Sequence, residues 1–120
     1  MTIPTNDPLV AVPMVTPFDT ADQLDFDAAQ RNVERWCNTA ISVFIIGSQS
    51  GEEFMMSESE RVELLGCVTD ALEGERITVG GIDAPSVVET LRQAERYAEA
   101  GAEMVRVRFP RIESEVLPYF

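Results

Sequence analysis

Positions 42–52 read Ser-Val-Phe-Ile-Ile-Gly-Ser-Gln-Ser-Gly-Glu. The first five residues are mostly apolar and β-favouring, and they stop at a run of glycines and small polar side chains, as a buried strand does where it enters a loop. Five residues after Glu52, the sequence Ser57-Glu58-Ser59-Glu60 predicts a helix start in which Ser57 caps the helix and Glu60 reaches back to it. A strand, a glycine-rich loop and a helix in this order place backbone N–H groups at the carboxyl edge of a parallel sheet. That edge is where α/β proteins bind their ligands.

The same alternation of strands and helices runs along the whole chain. Strands are predicted at 9–16, 42–46, 77–81 and 104–107, and helices begin near positions 25, 57 and 85, with a further helix start at 113–120. The spacing of roughly thirty residues is typical of β/α units joined by parallel crossovers. Four such units fit either a doubly wound open sheet or part of an eight-unit barrel, and periodicity alone does not separate the two. We expect positions 1–8 to be a flexible leader and 9–120 to form one domain.

Each predicted helix carries apolar residues at helical spacing, which we expect to face the sheet. They are Phe26, Ala29, Val33, Trp36 and Cys37 in the first helix, Val62, Leu65, Val68 and Leu72 in the second, and Val88, Leu91, Ala94, Tyr97 and Ala98 in the third. The acidic side chains between Glu52 and Glu63 are interpreted as an exposed, solvated face.

The composition excludes several kinds of site. The net charge is −12, which argues against a surface for nucleic acid or for anionic membranes, since phosphate contacts need clustered cations. The chain has no histidine, the commonest metal ligand and general base, so we predict neither a metal site nor a cofactor. All nine basic residues are arginines, so no lysine is present to form a Schiff base. The start of the chain lacks the pattern of a signal peptide and no apolar run is long enough to span a membrane, which predicts a cytoplasmic protein.

Three arginines follow one another closely around the fourth strand, at positions 106, 108 and 111. Alternation along a strand places Arg106 and Arg108 on one face and the valines at 105 and 107 on the other. The arginines are either paired with nearby glutamates, which is the favoured interpretation, or they bind a carboxylate or phosphate. Arg108 is the best placed of the three to face a ligand, because it lies nearest the carboxyl end of the strand.

Several of these segments together resemble a known family. Positions 12–18 (Val-Pro-Met-Val-Thr-Pro-Phe), Gly51-Glu52 with the following 56–61 (Met-Ser-Glu-Ser-Glu-Arg), and 79–81 (Val-Gly-Gly) are similar, in order and spacing, to the dihydrodipicolinate synthase / N-acetylneuraminate lyase family. The resemblance runs from about Leu9 to Phe120. It implies an α/β fold, the (β/α)8 TIM barrel, of which this chain covers about the first four units.

The resemblance also implies an activity. Members of the family are Schiff-base lyases and aldolases that act on pyruvate or related 2-oxo acids, and a homo-oligomer is expected. Their catalytic lysine lies on the sixth strand and a partner tyrosine on the fifth, both beyond Phe120. The alternative is a non-catalytic relative that acts as an oligomerising or interaction module, which the absence of lysine favours for this polypeptide on its own.

The loop after the second strand is where the family's site residues can be carried over. The family shows Gly-Thr-Thr-Gly-Glu or Gly-Ser-Thr-Gly-Glu there; its first hydroxyl belongs to a proton relay, and its second hydroxyl holds the substrate carboxylate with nearby N–H groups. Matching Gly51 and Glu52 to the end of this motif puts Gln49 in the relay position and Ser50 in the carboxylate position. Counting from the start of the loop instead puts Ser48 in the relay position and leaves one extra residue.

The resemblance therefore predicts Ser50 and Gly51 as substrate-binding residues and the relay as altered, and Arg108 is a third predicted substrate-binding residue because of its place in the strand. A short hydroxyl beside a flexible glycine suits a carboxylate, because backbone amides can approach the anion. Glutamine does not suit a relay, since an amide does not shuttle protons as a hydroxyl does. The family's tyrosine pair after the fourth strand is also missing, because positions 108–113 read Arg-Phe-Pro-Arg-Ile-Glu.

Overall fold

The structure, a computed structural model, describes residues 8–108 of the chain. The predicted leader, apart from Pro8, and the predicted helix start at 113–120 lie outside the described residues. Four parallel strands form one sheet in the order β1-β2-β3-β4. The elements are β1 (Ala11–Pro13), α1 (Phe26–Trp36), β2 (Val43–Ile46), α2 (Glu58–Leu72), β3 (Ile77–Ile82), α3 (Val87–Glu99) and β4 (Met104–Val107). A doubly wound sheet reverses its strand order, so this sequential order favours the barrel.

The two faces of the sheet carry different residues because side chains alternate along each strand. Phe44 and Ile46 of β2 and Ile82 of β3 belong to the main core, which the helices cover. Val43, Ile77 and Val79 pack together on the opposite face. We call this second face the inner face, since it corresponds to the interior of a barrel.

The first two helices begin and pack as predicted. Asp25 caps α1 by accepting a hydrogen bond from Ala28 N at 2.9 Å. The predicted capping box of α2 is confirmed: Glu60 N donates to Ser57 Oγ at 3.1 Å and Ser57 N donates to Glu60 Oε1 at 3.0 Å. Trp36 stacks on Phe44 with ring centroids 6.1 Å apart, so α1 lies against the sheet.

The predicted inward face of α3 is wrong in part. Val88 and Leu91 are 78% and 60% exposed, whereas Gln93 and Tyr97 are buried. The orientation follows from Tyr97, whose ring lies over Gly80: a methyl group at Gly80 would lie 2.6 Å from the ring. The ring needs the space over this glycine, and a helix rotated to place it there brings Tyr97 against the sheet and leaves Val88 and Leu91 exposed.

Two predicted boundaries also differ. The first strand is confined to Ala11–Pro13 rather than 9–16. Backbone bonds continue the pairing at either end, from Ser42 N to Val10 O at 2.8 Å and from Met14 N to Ile45 O at 2.9 Å. The chain turns away soon afterwards. Cys37 follows α1 as its C-cap instead of lying inside the helix.

None of the helices between residues 8 and 108 is long and apolar enough to cross a membrane.

Candidate functional site

The loop after β2 is a compact turn at the carboxyl edge of the sheet. Its first residue, Gly47, has φ 78°, which turns the chain sharply out of the strand. Gln49–Gly51 then form a short 3-10 turn. Ser48 is buried, and its Oγ accepts a hydrogen bond from Gly51 N at 3.2 Å. The predicted relay and carboxylate residues, Gln49 and Ser50, are both exposed to solvent.

Contacts from β1 and α2 hold this loop in place. Thr16 Oγ1 donates to Gly51 O at 2.6 Å, and a methyl group at Gly51 would lie 2.5 Å from Met14 O. Arg61, in the first turns of α2, donates from Nη1 to Met56 O at 3.1 Å and to Glu53 O at 3.4 Å. Gly51 is therefore needed for close packing against the end of β1, and its N–H is already taken up by Ser48. Of the two predicted binding residues in the loop, Gly51 is buried, whereas Ser50 is exposed and can donate a hydrogen bond from its hydroxyl.

The strand register places Arg106 and Arg108 on the inner face, as predicted. Arg106 pairs across the sheet with Gly81, and Val107 packs with the core on the helix side. The favoured ion-pair interpretation is confirmed for Arg108: its Nη1 lies 2.9 Å from Asp83 Oδ2 and its Nη2 lies 2.7 Å from Glu53 Oε1. Glu53 Oε1 has no aligned hydrogen bond, so this second contact is an ion pair through proximity alone. Arg111 lies outside the described residues.

Glu53 is the site residue that the sequence did not reveal. Its side chain is only 5% exposed, which contradicts the interpretation of 52–63 as a solvated acidic face. The reason is a second 3-10 turn, Glu53–Met55, which precedes α2 and turns this one carboxylate under the loop. Burying a carboxylate requires a cation, and Arg108 supplies it from four elements further along the chain. A run of acidic residues in sequence gives no signal for such a distant partner.

A cavity of about 190 Å³ opens beside these residues at the carboxyl edge. It is lined by Glu53, Phe54, Met56, Arg61, Gly81 and Asp83. Behind it, the buried Tyr97 donates its hydroxyl to Gly81 O at 3.1 Å, and burial raises the pKa of this phenol. Asp83 and Glu53, the two ion-pair partners of Arg108, both line the cavity. The residues that line it do not include Ser48, Gln49, Ser50 or Gly51.

Within residues 8–108, no group of three or more histidine, cysteine or acidic side chains is placed to hold a metal ion. The polar groups at this edge are hydroxyls, guanidinium groups and two carboxylates bound to one arginine. Such a set is suited to binding an anion and orienting it, since guanidinium groups and hydroxyls donate hydrogen bonds to carboxylates.

Comparison with known proteins gives consistent matches. Residues 8–110 match the model of the Dihydrodipicolinate synthetase family. An uncharacterized DapA-like lyase of Halobacterium salinarum is 34% identical over 110 residues, which is 88% of this chain and 36% of that protein. The 4-hydroxy-tetrahydrodipicolinate synthase of Prochlorococcus marinus is 33% identical over 97 residues, 81% of this chain and 32% of that protein.

The fold is also shared with solved structures. A putative dihydrodipicolinate synthase family protein from Coccidioides immitis superposes with a TM-score of 0.87 at 23% identity, covering 93% of this chain and 38% of that one. The prediction of a TIM-barrel fold is therefore confirmed, with this chain carrying the first β/α units. The chain spans about a third of the length of the curated relatives it matches.

Proposed function

Because the chain belongs to the dihydrodipicolinate synthetase family, we propose that it forms part of a lyase that acts on pyruvate or a related 2-oxo acid through a lysine Schiff base. The observation that carries this proposal is the loop after β2, where Ser50 presents a hydroxyl to solvent at the carboxyl edge of a barrel-type sheet. Active sites of TIM-barrel enzymes lie at this edge.

In the proposed reaction, this chain binds and orients the substrate carboxylate. Ser50 donates its hydroxyl to the carboxylate, while the bonds from Thr16 Oγ1 to Gly51 O and from Gly51 N to Ser48 Oγ hold the loop in a fixed shape. Arg108 adds positive charge at the same edge, but Glu53 and Asp83 already neutralise it. Its contribution to substrate binding is therefore expected to be smaller than that of Ser50.

The chemical step needs an amine that this sequence lacks, since all its basic residues are arginines. We propose that a lysine outside these residues forms the imine with the keto group. The relay is also altered: Gln49 cannot replace a hydroxyl as a proton shuttle. Ser48 is the alternative, because its buried hydroxyl accepts from Gly51 N and keeps its own proton available.

A binding measurement tests the loop. Isothermal titration of the chain with pyruvate is expected to show saturable binding that the Ser50→Ala variant weakens about tenfold, the loss of one hydrogen bond to a charged group. Ser59→Ala is the matched control, because Ser59 is an exposed serine in the first turn of α2. Equal pyruvate affinity in the Ser50→Ala variant and the unmodified chain would refute the role of Ser50.

A second measurement tests the missing amine. After incubation with pyruvate and borohydride, peptide mapping of the chain is expected to find no adduct on any side chain, because arginine does not form the imine. A permanent adduct on a side chain would contradict the proposal that the reactive lysine lies elsewhere.

The alternative function is a non-catalytic module that oligomerises or binds a partner. The absence of lysine favours it, as do exposed apolar side chains at both edges of the sheet: Val10 is 48% exposed beside β1, and Met104 and Val105 of β4 are 46% and 39% exposed. Unpaired edges of this kind associate readily. We propose a homo-oligomer and a cytoplasmic location in either case. A monodisperse monomer with a sharp, cooperative melting transition in sedimentation and thermal scans would contradict the oligomer.

A further inference from the structure

Arg106 lies on the inner face of the sheet between the ends of two neighbouring strands. It pairs in register with Gly81 of β3, and its Nη2 reaches Gly47 O, just after β2, at 3.4 Å. A methyl group at Gly81 would lie 2.9 Å from this Nη2 and 2.1 Å from Gly47 O. The missing side chain of Gly81 therefore leaves the space in which the guanidinium group lies across the strand ends.

Among residues 8–108, Gly47 O is the one hydrogen-bond acceptor that this guanidinium reaches. An arginine has five N–H donors, and the bond to Gly47 O is long for an N–H donor. Arg106 Nε is buried without a hydrogen-bond partner, and no carboxylate in residues 8–108 forms an ion pair with Arg106. Its neighbour on the same face, Arg108, contacts both Glu53 and Asp83. Among the described residues, two carboxylates therefore neutralise Arg108 and none neutralises Arg106.

We propose that Arg106 binds an anionic group, either a carboxylate or a phosphate, on the inner face of the sheet beside Gly47 and Gly81. A buried Nε–H without an acceptor is costly, and a planar oxyanion satisfies this donor together with a neighbouring Nη–H. A cavity of about 190 Å³ opens at the same edge and is lined in part by Gly81, the residue that Arg106 faces across the sheet. This inference rests on the contacts of Arg106 and not on the proposed lyase reaction.

Titration calorimetry of the chain in a low-chloride buffer tests it, with inorganic phosphate and pyruvate as separate probes. We expect saturable binding of at least one probe, weakened at least about tenfold in Arg106→Gln because a charge-assisted pair is lost. Arg31→Gln changes the net charge equally on the exposed side of α1 and should stay within about twofold of the unmodified chain. Binding of phosphate alone identifies a phosphorylated ligand, and binding of pyruvate alone identifies a carboxylate. The proposal would be overturned if neither probe showed saturable binding. It would also be overturned if Arg106→Gln bound the probe with the same affinity as Arg31→Gln.

Two further measurements keep the result decisive. If Arg106→Gln fails to fold, the Nε–H resonance of Arg106 in the unmodified chain must shift in nuclear magnetic resonance spectra as the probe is added, and a static resonance overturns the proposal. Ser50→Ala separates the two sites. If Ser50→Ala loses affinity for pyruvate but keeps its affinity for phosphate, the result supports two separate sites, one at Ser50 and one at Arg106. Unchanged pyruvate affinity in Ser50→Ala refutes the loop assignment and leaves the Arg106 site standing.

Discussion

Replacing Glu58 by glutamine should weaken the contact between α2 and α3 in a pH-dependent way. Glu58 Oε1 accepts from Arg92 Nη1 at 2.8 Å and from Arg96 Nη1 at 2.7 Å, so one carboxylate of α2 binds two arginines of α3. Hydrogen bonds from Arg92 are the main reason that the pKa of Glu58 falls from its ordinary value of 4.5 to about 2, with Arg96 and the charges of both arginines adding to the effect.

The magnitude follows from linkage between proton binding and stability. At about 1.4 kcal/mol for each pKa unit, the lowered pKa would correspond to roughly 3 kcal/mol for a pair removed from water. The side chains of Arg92 and Arg96 are 45% and 37% exposed, so solvent screening reduces the expected effect to about 1–2 kcal/mol. A carboxyl with a lowered pKa stabilises the folded state above its unfolded pKa. This stabilisation is lost as the pH falls from about 4.5 towards about 2.

Urea unfolding followed by circular dichroism at pH 7 and pH 3 measures this directly. The Glu58→Gln variant should be less stable than the unmodified chain by about 1–2 kcal/mol at pH 7, and the difference should fall to less than half at pH 3. Glu89→Gln is the control, because Glu89 contacts Arg92 within α3 and joins no second helix; its effect should be smaller. A difference that is the same at both pH values would refute the electrostatic explanation.

Three other predictions concern packing, capping and charge. Gly80→Ala should lower the free energy of unfolding by about 1–3 kcal/mol in urea titrations, because the new methyl group overlaps the Tyr97 ring, whereas Gly66→Ala, with open space around it, should stabilise α2 by about 0.5–1 kcal/mol. Ser57→Ala should cost about 1 kcal/mol in the same assay by removing the cap on Glu60 N, and an unchanged midpoint would contradict the role of the capping box. Raising sodium chloride from 10 mM to 1 M should raise the thermal midpoint by roughly 5 °C, because salt screens the repulsion of a chain with net charge −12; a lower midpoint would argue against self-repulsion.

Local signals predicted the elements of this fold well. The apolar run at 42–46, the capping box at Ser57 and the alternation of Arg106 with its valine neighbours depend only on residues close in sequence, and the structure confirms them. Strand order is different, because it depends on how units pack, and periodicity left two architectures open. The resemblance to a known family supplied what the pattern could not.

Long-range contacts account for what the sequence did not reveal. The rotation of α3 is set by Tyr97 meeting Gly80, and the burial of Glu53 is set by Arg108, which lies in a different β/α unit. The unpartnered Nε of Arg106 is likewise visible only in three dimensions, since the sequence favoured Arg108 as the arginine that faces a ligand. Contacts between units decide which of two similar side chains is neutralised.

The inner face changes character along its length, and this has an evolutionary consequence. Val43 and Ile77 form an apolar layer at one end, while Arg106, Arg108 and Glu53 gather at the other. Substitutions among the charged residues can therefore change which ligand is bound, while the apolar layer at the other end continues to stabilise the fold. A descendant of this scaffold could change what it recognises without having to rebuild what keeps it folded.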